Sequence, residues 1–352
     1  MALFMEKRQP GVCTIEAPCK INLHLSIGEK RPDGFHELES IFVSLALADT
    51  LCFECTGKEA GTRLFMDWEI PEESISPERN LVLKAVSLFR EQTGFKKGLN
   101  IRVTKRIPAG AGLGGGSSDA ASSLLALNFL AGGAGKAPES SLATKELVEM
   151  AAILGSDVPF FLNGGGAFVS GRGELIEPVE IPPGLWVVLS KPPFSSDTAS
   201  AFRLLDRARE REIIKTTEKI PQKRVSKKAV SRKELSKKHV SKKHVSKKRL
   251  IRALKDDPAT WPFYNDFLPV FLGANLSADR AAGQNAAAYL TILENLRKAG
   301  ASFTGLSGSG SCCFGIFTSK KAAEIAEKQL SGQENYTRMT FFLAQKAIPV
   351  VE

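Results

Sequence analysis

No run of apolar residues in this sequence approaches the ~20 needed to cross a bilayer as a helix. Its first residues, Met-Ala-Leu-Phe-Met-Glu-Lys-Arg, lack the apolar core and cleavage site of a secretory leader. A cytoplasmic protein with no membrane partner is therefore expected. Cysteine is sparse. The six, at positions 13, 19, 52, 55, 312 and 313, have none of the dense spacing of a disulfide framework, so reduced structural thiols are expected. Cys52-Phe-Glu-Cys55 has no second Cys or His pair to complete a zinc site. Tryptophan and tyrosine number three each. Two nucleotide-binding signatures are also incomplete. Gly110-x-Gly112-x-x-Gly115 has the dinucleotide spacing but no second strand ending in a carboxylate ~20 residues on. Gly132-Gly-Ala-Gly-Lys136 lacks the first glycine of a P-loop and carries Ala137 where Ser or Thr is required.

What is present is an ordinary globular composition, 43% hydrophobic and 24% charged, in 352 residues, long enough for two domains. The net charge of +10 is unevenly spread. Lys215 to Lys255 holds 17 Lys or Arg against Glu218 and Glu234, so the remainder is net acidic. That segment repeats every five residues (Val225-Ser-Lys-Lys, Val230-Ser-Arg-Lys, Leu235-Ser-Lys-Lys, Val240-Ser-Lys-Lys, Val245-Ser-Lys-Lys). A period of five matches neither helix nor strand, and like charge at this density favours a disordered excursion over about 215–255. A polybasic tract for nucleic acid or acidic membrane is the competing role. The absence of aromatics to stack on bases speaks against it.

The richest segment is Pro108 to Ala121. Five glycines in seven residues lead through Ser117 and Ser118 into an apolar run, Asp119 to Leu130, that reads as a helix. Glycines permit positive φ and close approach to a ligand, and a helix N-terminus offers free N–H groups to phosphate oxygens. This loop is expected to hold a nucleotide triphosphate. Elsewhere, Ile21, Leu23, Leu25 and Ile27 alternate with Lys20, Asn22, His24 and Ser26, a strand with one buried face and Lys20, Asn22 and His24 on the other. Further strands are expected at 39–46, 50–55, 99–103, 167–170, 186–190, 312–317 and 338–343. Helices are expected at 80–92, 142–154, 265–272, 286–299 and 320–330. Their irregular order argues for an α+β fold rather than a parallel doubly wound sheet.

Four segments together resemble the GHMP kinase superfamily: Ala17-Pro-Cys-Lys-Ile-Asn-Leu with Pro32-Asp-Gly-Phe-His36, the glycine loop, Leu154-Gly-Ser-Asp-Val-Pro-Phe160, and Leu306-Ser-Gly-Ser-Gly310. The resemblance covers nearly the whole chain except the Lys-rich segment. It implies two lobes with a ligand cleft between them, an N-terminal ATP-binding domain over 1–180 and a C-terminal substrate domain over 181–352. It further implies ATP with Mg²⁺ and transfer of a phosphoryl group to one alcohol. The Lys-Ile-Asn-Leu and Pro-Asp-Gly-Phe-His pair narrows the acceptor to the 2-hydroxyl of a methylerythritol linked to cytidine diphosphate. On this resemblance Asp157 is the base or orienting carboxylate, with a helix-cap or turn role as the alternative, and Lys20 is its electrostatic partner. Pro108, Ala109, Gly110, Ala111, Gly112, Leu113, Gly114, Gly115, Gly116, Ser117 and Ser118 fall on the ATP loop. Asn80 falls near the adenosine, or else simply caps a helix. Asn22, Phe35, His36 and Phe202 fall on the cytidine-linked substrate. Phe35 stands where tyrosine is common, and Phe202 fits a core role equally well. Ser118 and Asp119 are the only candidates to touch Mg²⁺, and no metal ligand is assigned. A monomer or weak homodimer is expected, with a small molecule as partner and no requirement for nucleic acid. The alternatives are a family member acting on another small alcohol, or a nucleic-acid- or membrane-associated factor using the basic repeat.

Overall fold

A computed structural model describes residues 11–56, 61–70, 76–132, 144–218, 245–273, 280–331 and 335–343. Its first strands are long: β1 (Val12–Lys30) and β2 (His36–Thr56) form one antiparallel hairpin, from Lys30 opposite His36 to Val12 opposite Glu54. The expected break at 47–49 is absent because both halves of β2 find strand partners. β4 (Gly98–Lys105) pairs with residues 50–56, and β5 (Gly166–Gly171) with residues 38–43. β3 (Thr62–Trp68) runs parallel to β4, and β6 (Leu175–Pro178) closes the other edge beside β5. A second sheet, all antiparallel, has the order β10 (Tyr336–Phe341), β7 (Trp186–Lys191), β9 (Cys313–Phe317), β8 (Phe303–Leu306).

Helices cover these sheets for reasons visible in their sequences. α1 (Leu81–Thr93) buries Val82, Ala85, Val86 and Phe89, the 3–4 spacing of one helical face, and stops at Gly94 in the left-handed conformation. α2 (Gly115–Gly132) is buried almost all round, with Ala120, Ala121, Leu124, Leu127 and Leu130 in the core of the first sheet. α3 (Thr144–Leu154) is followed at once by α4 (Val158–Asn163), where the sequence suggested only a break; Pro159 is tolerated because it falls in the first turn. α5 (Thr198–Glu218) carries no apolar stripe strong enough to have been read from sequence. α7 (Phe267–Gly273), α8 (Arg280–Lys298) and α9 (Lys320–Ser331) pack with the second sheet.

Two expectations change. The first strand is buried on both faces: Lys20 and Asn22 are each 3% exposed and His24 is inaccessible. Residues far along the chain cover its polar side, including Tyr264, whose N–H donates to His24 Nδ1 at 3.3 Å. The Lys-rich excursion also ends sooner than expected. Residues 219–244, which hold most of the repeat, lie outside the described residues. From residue 247, however, the chain forms α6 (Lys247–Ala253), with Leu250, Ala253 and Leu254 buried at helical spacing. Lys247 pairs with Glu177 and Lys255 with Glu180. The five-residue period gives way there to Leu250-Ile-Arg-Ala-Leu254, which can bury one face.

The halves share a core. Ile21, Leu23, Ile41 and Val43 of the first sheet cluster with Val187, Leu189, Phe314 and Ile316 of the second, and with Leu250 and Leu254 of α6. No described helix is long and apolar enough to cross a membrane.

Candidate active site

A cavity of about 980 Å³ opens between the two sheets. The glycine loop forms one wall. β1 contributes Lys20 and Asn22, the start of α1 contributes Asn80, and the turn before α4 contributes Asp157. The second half closes it with Ser195–Thr198, Phe202, Phe267 and Gly308–Gly310.

The loop is held entirely by its carbonyls. Those of Ala109, Gly110, Ala111, Gly112 and Leu113 accept in turn from Ser195 Oγ, from Ser196 N and Ser311 N, from Cys312 N, from Ser307 Oγ and from Lys20 N. Gly114 O accepts the N–H of Ser118 at 2.9 Å, the first bond of α2. In a trans peptide the C=O of one residue and the N–H of the next point opposite ways. With the carbonyls turned outward to these partners, the N–H groups of residues 110–114 turn away from them, and none donates to a described residue. The first-turn N–H groups of α2 continue the series, adding the positive end of a helix of 18 residues. Such a concave row of N–H groups is an anion site. α2 begins four residues earlier than the sequence suggested, because Gly115–Ser118 adopt helical conformation as soon as the loop is tied.

Glycines 112 and 114 are two of those that no other residue could replace without a clash. Gly112 has φ of 72°, and a Cβ there would collide with the carbonyl oxygen of Ser307; at Gly114, with φ of 71°, a Cβ would press on the ring of Phe161.

Lys20 and Asp157 face each other, Nζ to Oδ2 at 3.3 Å. Lys20 is fixed by Asn22 Oδ1 at 2.7 Å and by the ring of Phe42, whose centre lies 4.6 Å away. Asn22 in turn donates from Nδ2 to Ser40 Oγ at 2.9 Å. Asp157 sits at the N-cap position of α4 yet makes no capping bond with its side chain. Asn80 does cap: its Oδ1 accepts from Val82 N at 2.9 Å and Leu83 N at 3.4 Å, while the residue also lines the cavity.

Three expected positions differ. Ser118 does not line the cavity; as a first-turn helical residue it points inward and is fully buried. His36 is also outside the lining. Its ring stacks on Phe202, centres 5.0 Å apart and planes 19° apart, and its Nε2 meets Asp206 Oδ1 at 2.8 Å. Phe35, in the turn between β1 and β2, is 52% exposed with the guanidinium of Arg172 5.2 Å from its ring centre. Phe202 does line the cavity, held edge-on by Phe267.

Sequence reasoning missed a buried charge cluster under the loop. Lys105, at the end of β4, bridges Asp49 of β2 and Asp119 of α2, 2.7 Å from the latter. Asp49 Oδ1 also accepts the backbone N–H groups of Arg106 at 2.5 Å and Ile107 at 2.9 Å. The cluster thus ties both ends of the glycine loop to one strand. Burial pushes the Asp119 carboxyl up, against the pull of Lys105. Burial would lower the Lys105 ammonium, but the two carboxylates reverse this and hold it above its ordinary range. The signal was a lysine and an aspartate flanking the loop, 14 residues apart, indistinguishable in one dimension from surface charges.

The residues suit a Mg²⁺ ion held mainly by nucleotide phosphates and water. Asp119, which lines the cavity, has a buried Oδ1 with no partner among the described residues; Ser118 Oγ is likewise unpartnered but lies outside the cavity. No described cluster of three His, Cys, Asp or Glu could hold a metal by itself.

Two family models match the chain, GHMP kinases N terminal domain over residues 80–165 and GHMP kinases C terminal over residues 265–335. Both models describe GHMP kinases, and the chain matches that family in both of its halves. Among family members similar to it is a 4-diphosphocytidyl-2-C-methyl-D-erythritol kinase of Geobacillus thermodenitrificans (strain NG80-2), 41% identical over 54% of this chain and 63% of that protein. A chloroplastic enzyme of that name from Oryza sativa subsp. japonica is 41% identical over 54% of this chain and 45% of the relative. The match thus spans less than two thirds of these relatives' own length. A crystal structure of 4-(cytidine 5'-diphospho)-2C-methyl-D-erythritol kinase superposes with a TM-score of 0.64 at 27% identity, covering 93% of this chain and 99% of the other. Homoserine kinase from Cytophaga hutchinsonii, at 17% identity and a TM-score of 0.60, shares the fold.

Proposed function

We propose that this GHMP kinase transfers the γ-phosphoryl group of ATP to the 2-hydroxyl of 4-diphosphocytidyl-2-C-methyl-D-erythritol, a step of the non-mevalonate route to isoprenoid precursors, in the cytoplasm. The observation that carries the reading is the Lys20–Asp157 pair, 3.3 Å apart, facing a loop whose successive N–H groups donate to no described residue. The names of the relatives support the choice of acceptor.

In this reading the N–H row holds the nucleotide phosphates, and Asn80 lies beside the adenosine. Asp157 accepts or steers the proton of the attacking hydroxyl. Lys20, almost completely buried, orients the Asp157 carboxylate across 3.3 Å and offsets charge on the transferred group. Asn22 holds Lys20 in register and contacts the polyol. Phe202 offers a stacking face to the pyrimidine, which requires His36 to give up its place on that ring; Phe35 and His36 complete the cytidine contacts. Phosphoryl transfer needs positioning and electrostatics above all, and these groups supply both. A Mg²⁺ ion bound with ATP would neutralise phosphate charge, with Asp119, which lines the cavity, as the protein oxygen to hold it or its water.

The test is ADP release from ATP and Mg²⁺ with the cytidine-linked polyol, in the parent and in Asp157→Asn. Substrate-dependent turnover that falls roughly 10³-fold in the variant is expected. Folded parent protein that binds ATP yet turns over only other alcohols would overturn the acceptor assignment.

A further inference from the structure

The loop that holds phosphate belongs to the first half of the chain, yet most of the groups tying it down come from the second. Of the carbonyls of residues 109–113, only that of Leu113 is held from within the first half, by Lys20 N. Ser195, Ser196, Ser307, Ser311 and Cys312 hold the rest.

Ser307 differs from the others. Like Ser195 it bonds the loop through its side chain, Oγ to Gly112 O at 2.8 Å, but its oxygen also accepts the backbone N–H of Asn22 at 3.4 Å. One hydroxyl therefore joins the centre of the glycine loop to the strand that carries Lys20. Ser307 is fully buried, and its own loop is braced by Asn265, whose Nδ2 donates to the carbonyls of Leu306 and Gly308, both at 2.8 Å. Asn265 Oδ1 in turn accepts the N–H of Phe267 at 2.9 Å, which anchors the brace to α7.

We infer that Ser307 is a positioning residue for phosphoryl transfer: its hydroxyl latches the phosphate loop to the Lys20 strand and keeps the N–H groups on either side of Gly112 aimed into the cleft. The mechanism is local. A donor at Gly112 O fixes the plane of the peptide joining Gly112 to Leu113, and with it the direction of the Leu113 N–H. Without it, a glycine with freedom at φ and ψ can rotate that plane, turning a donor away from the anion. The inference rests on the reading that this loop binds nucleotide phosphates, and it adds that the second half of the chain sets the loop's geometry.

The experiment compares calorimetric binding of ADP and of adenosine to the parent, Ser307→Ala and Ser307→Cys. Cysteine keeps the side chain's shape with a much weaker donor. ADP affinity is expected to fall about tenfold in Ser307→Ala and less in Ser307→Cys, with adenosine affinity unchanged in both. In turnover assays KM for ATP rises and kcat falls, while KM for the alcohol stays at its parental value and the thermal unfolding midpoint drops by only a few degrees. ADP and adenosine weakening together, or neither weakening, would overturn the latch. A parent that binds ADP no better than adenosine would overturn the phosphate reading itself, and does so before any variant is made.

Discussion

At the glycine-loop end of the cleft, every carbonyl from Ala109 to Gly114 is engaged, and the N–H groups of residues 110–114 donate to no described residue. At the Phe202 end the reverse holds. The side chains that suit a pyrimidine are engaged with one another, His36 lying on Phe202 and bonded to Asp206, while Phe35 stands half-exposed under Arg172. On the proposed function, the contrast follows from what each end would bind. Phosphate oxygens are read by backbone donors, whose geometry can be fixed in advance by pinning the opposite side of each peptide. A base is read by ring faces, and an uncovered aromatic face in water is costly, so another ring covers it until a ligand arrives. One end is preformed and the other is assembled.

If the loop end is preformed, small changes there should have large effects. Gly112→Ala forces a Cβ into the Ser307 carbonyl at a φ of 72°. A loss of more than about 100-fold in ATP-dependent turnover is expected, because a shift of ~1 Å at a reacting group costs that much; retention of parental kcat/KM would break the contrast. Next comes the charge cluster that holds the loop's ends. Lys105→Met leaves Asp49 and Asp119 buried without their cation, a loss of about 3–5 kcal/mol of stability measurable by urea unfolding. Adding Asp119→Asn to Lys105→Met should recover part of it; an unchanged midpoint in the single variant would show that the cluster does not hold the fold. The smallest effect belongs to the assembled end. Phe202→Ala should raise KM for the cytidine-linked substrate about tenfold, with kcat within twofold, since ring stacking is worth about 1 kcal/mol and acts mainly in binding. A fall in kcat as large as that of Gly112→Ala would mean that the two ends work alike.

Some of this was legible in one dimension. The glycine run, the cap at Asn80 and the apolar spacing of α1 and α9 are local signals, and they give helices within two residues of those observed. Lys20, Asn22 and Asp157 were nameable through motif resemblance. The structure adds that they meet: Lys20 and Asp157 are 137 positions apart in sequence and 3.3 Å apart in space. Nothing local marked Asp206, which reaches His36 across 170 residues, or Lys105 as a buried cation. α5 was missed because its exposed face dilutes the periodic signal, and β3 because it is a half-exposed edge strand.

The sequence by itself determined where the backbone could take unusual conformations, where a helix such as α1 or α9 would start, and that the chain's excess of positive charge comes from one segment. These are properties of single residues and of neighbours within a turn or two. Tertiary structure decided which side of the glycine loop faces the ligand, that the polar face of β1 is buried, and which rings cover one another. Each of those depends on a partner contributed from far along the chain, as Gly112 depends on Ser307 across 195 residues, and only folding brings such partners within hydrogen-bonding reach.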